Sequence, residues 1–506
     1  MTTQEPRQLR FEGAESKASL IARRFDDVDN SIRLIHLHGD RLRYVTEWGT
    51  WIVWDGTRWL KDPKRVTVFE LAKDVSSALY RQAAENPDAA EKTSKWANQS
   101  ATRGRISSMV ELARGIEGVV ISQTELDADP WLLGVKNGYI DLRTGTFHQP
   151  DPEKLMTMQA PVTYDPDAKA PRWRQALREW FPDEDTRHYV QRLSGHAVAG
   201  DSLGGHIFVI HYGDGRNGKG TFMGAHKHVL GEYYVTPDKS LLIQQRRDEH
   251  ATVKVRLFRT RLAVASETDQ REHLNEAQVK NLTGGDPINA RRMREDEWEF
   301  VPTHSLWLQT NYLPEISGND NGIWSRIKVV PWTVTFGGQI DSDLDSTLTN
   351  EGPGILNWLI EGCLDWQTYG LREPEAVIRA TLDYRTTEDV LTHFAQDTGL
   401  VFGAGHSVVD SSLKERIRQW AFDSGVEGPS VKRINAWMKA NGCAEGRQNY
   451  SKDDGTTSKR KVWKGVRFTA PDGANDLQPA PSPGTRWTHT SASPPRKPYI
   501  ENKPDK

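Results

Sequence analysis

Short apolar runs recur through the middle of the chain: HIFVIHY at 206–212, RLAVASE at 261–267 and HSLWLQTN at 304–311. Each ends in a polar residue, and helical text lies between them. Buried strands alternating with helices predict a parallel α/β sheet. Upstream the pattern differs. In RLRYVTEWGTWIVWDGTRWLKD, aromatic and β-branched residues alternate around Gly49 and Asp55-Gly56, which predicts a β-hairpin or meander. Residues from about 65 to 125 carry helical spacing. Asn137-Gly138 and Thr144-Gly145 then mark hairpin turns, and a Pro-rich stretch closes the region near Pro171. Downstream, a helix is expected at 354–369, then helices at 388–400, 411–424 and 430–440, followed by the hairpin-like NYSKDDGTTSKRKVWKGVRF.

These breaks divide the chain into a loose N-terminus (1–30), an α+β domain (31–170), an α/β core (171–375), a basic domain (388–470) and a Pro/Ser/Thr-rich tail (471–506) with little to bury. Three helices with a β-wing are the outline of a winged helix. Composition adds limits. A length of 506 residues suits roughly three domains. Two Cys exclude a disulfide framework and a Cys-rich zinc ribbon, and a reducing, cytoplasmic setting fits. No apolar run of about 18 residues is present to span a membrane. The net charge of −3 means that nucleic-acid contact must come from local patches. Residues 411–470 supply one, with 13 Lys and Arg against 6 Asp and Glu.

The chemistry gathers at GDGRNGKGT: Gly213, Asp214, Gly215, Arg216, Asn217, Gly218, Lys219, Gly220 and Thr221. A Gly-rich loop between a strand and a helix N-terminus wraps phosphate with backbone N–H groups, and Lys219 reaches the β- and γ-phosphates. ATP is the expected nucleotide. The strict pattern has Ser or Thr directly after the lysine, whereas Gly220 stands there. Either Thr221 or water then serves the magnesium ion. RLAVASE places Glu267 at a strand tip, where a carboxylate holds magnesium or orients water; an ordinary strand-end Glu is the competing reading. Asn311 ends the third apolar run, as a sensor of the γ-phosphate or as a turn residue before Tyr312-Leu313-Pro314. Arg326 precedes another apolar strand, either as a surface arginine or as one that reaches a neighbour's phosphate. Lys280, Arg291 and Arg292 flank a Gly-Gly turn, as a contact to strand phosphates or as a solvated charge run.

The order GDGRNGKGTF, ASET, LTGGDPINAR, LWLQTNYLP, WSRI resembles the superfamily 3 helicases, and most closely the phage and plasmid primase-helicases that share a C-terminal half with the poxvirus-type proteins. WIVWDGTRW and NGYIDLRTG resemble the domain ahead of that helicase, so the likeness covers about residues 30–470. The resemblance implies an AAA+-like ATPase core with magnesium held by Thr221 and Glu267. It makes Lys219 the phosphate-binding lysine, Glu267 the acid of the second motif, Asn311 the sensor and Arg326 an arginine finger supplied in trans. It implies a ring, usually a hexamer, that translocates on single-stranded DNA and opens forked DNA, with Arg291 and Arg292 in a pore hairpin. Lys432, Arg433, Lys459, Arg460 and Lys461 are the candidate DNA contacts of the winged helix. About 30 residues precede the domain from Ser31 that contains WIVWDGTRW, so the expectation is a helicase part whose primase or polymerase is a separate protein. The alternative is an origin-binding or DNA-remodelling protein that uses ATP as an assembly switch. A small-molecule kinase would leave the basic block unexplained.

Overall fold

The computed structural model describes residues 25–200, 206–244, 254–266, 272–291, 297–316, 321–338, 341–387, 390–426, 428–451 and 457–469. Two compact units are present, Met1–Arg385 and Thr386–Lys506.

The first unit begins with α1 (Asp27–His38), whose N-cap Asp26 accepts from the Asp29 N–H at 2.8 Å. Strands β1 (Leu42–Val45), β2 (Thr50–Trp54) and β3 (Trp59–Asp62) form the expected meander. Helices α2 (Val66–Glu85), α3 (Ala90–Ser100) and α4 (Arg103–Ala113) follow, and β4 (Val120–Ile121) closes the sheet in the order β3-β2-β1-β4. Leu34, Trp51, Val68, Leu79 and Met109 fill its core. Next, β5 (Leu132–Val135), β6 (Gly138–Asp141) and β7 (Thr146–His148) make a separate antiparallel sheet. The core does not break at Pro171. Leu133, Val135 and Ile140 of this small sheet are buried with Trp173, Leu193 and Leu359.

Beyond it come α5 (Pro171–Trp180), α6 (Glu184–Ala199), β8 (Phe208–Tyr212), α7 (Lys219–Leu230), β9 (Tyr234–Val235), β10 (Leu262–Ser266) and α8 (Glu276–Leu282). An antiparallel pair with one buried face, β11 (Ile288–Arg291) and β12 (Glu297–Phe300), precedes β13 (Ser305–Thr310), α9 (Asn321–Trp324) and β14 (Ile327–Pro331). Helices α10 (Leu344–Asn350), α11 (Gly352–Tyr369) and α12 (Glu375–Thr387) end this part. The central sheet has five parallel strands in the order β14-β8-β13-β10-β9. Its strands read as nearly continuous apolar text because both faces are covered. Val209, Val264, Trp307 and Val330 pack with α5–α7 and α11. Phe208, Ile210, Leu308 and Val329 point the other way, towards α8, β11 and α12. The period of two along each strand sets that division.

The second unit contains α13 (Val390–Thr398), β15 (Leu400–Val409), α14 (Asp410–Ser424), α15 (Val431–Ala440), β16 (Ala444–Ser451) and β17 (Thr457–Phe468). Its antiparallel sheet runs β15-β17-β16. Phe394, Leu413, Ile417, Met438 and Trp463 form the core, and the Trp463 indole donates to Asp410 Oδ1 at 2.8 Å. Strand β15 was not expected from the sequence. The protein is thus a mixed α/β chain built on a parallel sheet. Among the described residues no helix is long and apolar enough to cross a membrane.

Candidate functional site

The C-terminal edge of the central sheet gathers the polar residues. Strand β8 is buried along Phe208–His211, and the chain then turns through Gly213–Gly218 into α7. The turn is built for glycine at two places. A Cβ on Gly213 would run into the Trp332 carbonyl, and one on Gly218 (φ +91°) would enter the Trp180 indole. At Gly220 such an atom would meet nothing within 4 Å. The Arg216 carbonyl accepts from the Phe336 N–H at 2.9 Å, so the segment after β14 runs along the loop.

Lys219 is the first residue of α7 and is 4% exposed. Its Nζ donates to the Gly213 carbonyl, to the Asp214 carbonyl at 3.1 Å and to Asn311 Oδ1 at 3.0 Å. Register explains the last contact. Thr310 of β13 pairs with Tyr212 of β8, so Asn311 emerges beside Gly213. Burial pulls the Lys219 pKa down to about 8, with Asp214 opposing the shift. Asn217 Oδ1 accepts from the Lys219 N–H at 3.3 Å, while its buried Nδ2 has no partner among the described residues. Thr221, the third residue of α7, is half-buried in its first turn. Below lies an aromatic floor of Trp173, Trp180, Phe222 and Trp332, into which His211 is sealed. The Trp332 indole donates to His211 Nδ1 at 3.1 Å. Burial, aided by His226 and Lys219, drives the His211 pKa to about 3, so it is neutral and free to accept that bond. This floor was missed from the sequence; the unusual count of 18 Trp was its only signal.

The remaining candidates fall elsewhere. Glu267 and Arg292 lie outside the described residues. Arg326 sits just before β14, and its carbonyl accepts from the Phe208 N–H at 2.7 Å. It is therefore at the opposite end of β8 from the loop, five strand residues or roughly 17 Å away. Within one chain Arg326 and Lys219 do not meet. Lys280 stands on α8, and Arg291, exposed at the end of β11, pairs in register with Glu297 of β12. In the second unit, Lys432 and Arg433 belong to α15, although their side chains are outside the described set. Lys459, Arg460 and Lys461 are on β17; the Lys461 Nζ lies 3.2 Å from Glu445 Oε2.

The residues at the loop fit a polyphosphate with its magnesium. They offer a buried amide donor without a partner, an ammonium, helix-terminal N–H groups and the Thr221 hydroxyl. The fold and site define a mixed α/β protein with a Gly-rich loop at the carboxyl end of a parallel sheet. Comparison with known proteins carries this further. The family model described as "D5 N terminal like" matches residues 31–182, and a family of unknown function, DUF5906, matches residues 211–326. A "Putative helicase" of Acanthamoeba polyphaga mimivirus is 26% identical over 343 residues, covering 62% of this chain and 35% of that protein. A "Putative helicase" of Invertebrate iridescent virus 6 is 28% identical over 257 residues, 48% of this chain and 26% of its own length. A "Putative primase" of African swine fever virus is 26% identical over 216 residues, 40% and 22% respectively. Over these stretches the chain is similar to viral proteins named as helicases and primases, in keeping with the resemblance of its motif order. It spans about a third or less of the length of these relatives. The apo structure of the NrS-1 C terminal region (305-718) aligns with a TM-score of 0.45 at 11% identity, over 88% of this chain and all of that one.

Proposed function

We propose that the chain is an ATP-driven DNA helicase of the superfamily 3 type, acting in the replication of a phage or mobile element. The observation that carries this reading is the 3.0 Å contact between Lys219 Nζ and Asn311 Oδ1. A Gly-rich loop alone binds phosphate. An amide that follows the neighbouring parallel strand and is held against the loop lysine supports a role in distinguishing the terminal phosphate and the water that attacks it. In that reaction water attacks the γ-phosphorus, the bond to the β-bridging oxygen breaks, and a proton leaves to solvent. Lys219 takes charge on the phosphate oxygens, and Asn311 orients the water. Thr221 and Glu267 would hold magnesium, which neutralises phosphate charge. Arg326, on the far end of the sheet, acts on a neighbouring copy's phosphate, in a ring of about six copies. Lys280, Arg291 and Arg292 contact single-stranded DNA, and the second unit acts as a winged helix through Lys432, Arg433 and Lys459–Lys461. A primase or polymerase is a separate partner. The viral relatives named as helicases and primases support this class of activity.

The test is ATP- and magnesium-dependent displacement of duplexes with matched 3′ and 5′ tails. Displacement by the natural chain and its loss in Lys219→Ala support the reading. Equal displacement by Lys219→Ala overturns it. A second reading rests on Gly220, which removes the usual metal-facing hydroxyl. On that reading ATP acts as an assembly switch for an origin-binding or remodelling protein. Nucleotide-dependent assembly without displacement would favour it.

A further inference from the structure

Two guanidinium groups converge on one helical turn at the N-terminal end of the sheet. Arg326 Nη1 donates to the Gly322 carbonyl at 2.6 Å, and its buried Nε has no hydrogen-bond partner among the described residues. Arg385, near the end of α12, donates from Nη2 to Asn321 Oδ1 at 2.7 Å and lies 6.0 Å from the Trp324 ring centroid. The two acceptors belong to consecutive residues, so the cations stand within roughly 12 Å of each other. Helix α12 is fixed there independently, because Thr381 Oγ1 accepts from the Val329 N–H at 3.0 Å and the Tyr384 hydroxyl donates to the Pro314 carbonyl. Elsewhere in this unit guanidiniums find carboxylates: Arg174 meets Glu361 and Arg192 meets Asp365. Among the described residues, neither Arg326 nor Arg385 has an ion-pair partner. Two neighbouring cations with no carboxylate partner among the described residues repel each other, and a multiply charged anion relieves that repulsion.

We infer that Arg385 acts beside Arg326 as a second cation offered to the triphosphate in a neighbouring copy's Gly213–Thr221 loop. This inference rests on the ring reading above. Neither arginine forms a covalent bond. As the β-bridging bond breaks, negative charge grows on the leaving oxygen, and two forks of donors hold it where one would leave part exposed. Trp324 beneath Arg385 keeps its side chain extended over α9.

Mixed assemblies test this. Lys219→Ala, Arg326→Ala and Arg385→Ala are each expected to lower ATPase activity, Arg385→Ala by about tenfold or more. Chains carrying Lys219→Ala and Arg385→Ala are then co-expressed with different tags and purified through both. Each Arg385→Ala loop that faces a Lys219→Ala neighbour is a complete site, so activity should return to about a quarter of the natural value in a random ring. Recovery with Arg326→Ala but not with Arg385→Ala overturns the role of Arg385 and leaves the ring reading standing. Recovery with neither overturns both. Arg385→Gln, which keeps a donor for Asn321 without the charge, guards against a folding defect. Full activity in that variant would also overturn the inference.

Discussion

Protonation of Lys219 should be coupled to nucleotide binding. Burial lowers its pKa to about 8 in the free protein, and a triphosphate beside the ammonium restores a higher value. The sign follows directly. The free pKa is the lower one, so binding takes up a proton, and affinity is full well below pH 8 and declines as the pH rises through it. With a pKa of about 8, Lys219 is charged in roughly half the molecules at pH 8 and about one in eleven at pH 9. The dissociation constant should therefore weaken about fivefold between pH 8 and pH 9, with about 0.5 proton taken up at the lower pH and about 0.9 at the higher. Above pH 7.5 a phosphate's own last ionisation, at about 6, contributes little. The assay is calorimetric titration of a magnesium-bound, non-hydrolysable ATP analogue in two buffers of different ionisation heat, from pH 7.5 to 9.5. Lys219→Arg keeps its charge over this range, and its profile should be flat. Identical heats in both buffers at pH 8.5, with an affinity that does not change, would refute the placement of Lys219 on the phosphates.

Gly218→Ala forces a Cβ into the Trp180 indole at a φ of +91° and should cost roughly 2–5 kcal/mol, read as a drop in melting temperature. Gly220→Ser, where a Cβ meets nothing within 4 Å, should melt within about 0.5 kcal/mol of the natural chain. Equal destabilisation by the two would contradict the loop geometry. Asn311→Ala removes the one side-chain acceptor given above for Lys219 Nζ and should lower hydrolysis by about a hundredfold while nucleotide affinity changes little, measured by single-turnover kinetics beside equilibrium binding. Lys459→Ala with Lys461→Ala should reduce the slope of log affinity for DNA against log salt by about two, and an unchanged slope would remove β17 from the interface.

Much of this architecture is written in local patterns. Runs such as FVIHY and SLWLQT declare buried strands because no polar face interrupts them. The Gly-rich loop is legible because glycine is demanded by backbone contacts, as at Gly218 against Trp180. What escaped depends on distant partners. Strand β15 reads LVFGAGHSVV, with two glycines that lower strand propensity; its pairing with β17 supplies the ladder that the local sequence does not advertise. The apparent break at Pro171 is a proline at the first turn of α5, a position that tolerates it, and the core runs through it. At the site, Lys219 and Asn311 were each named from their own motifs. Their contact spans 92 positions and follows only from the register of β13 on β8. Arg385 carries no motif and emerges only where α12 meets α9.

The two ends of the central sheet hold Lys219 and Arg326 apart, so one copy cannot bring them together. Strand β8 fixes both: its first residue is hydrogen-bonded to Arg326 and its last leads into the loop that holds Lys219. The strand is rigid and buried on both faces, so no side-chain rotation closes a gap of roughly 17 Å. On the proposed reading, each copy therefore brings a cradle at one end and cations at the other, and a complete site forms only between copies. That arrangement makes the interface itself the switch. A subunit shift of a few ångströms at Arg326 and Arg385 changes the charge at the phosphate while the cradle of Lys219 and Asn311 stays intact. Binding can then persist while hydrolysis is turned on or off, which is what a motor stepping along a strand requires.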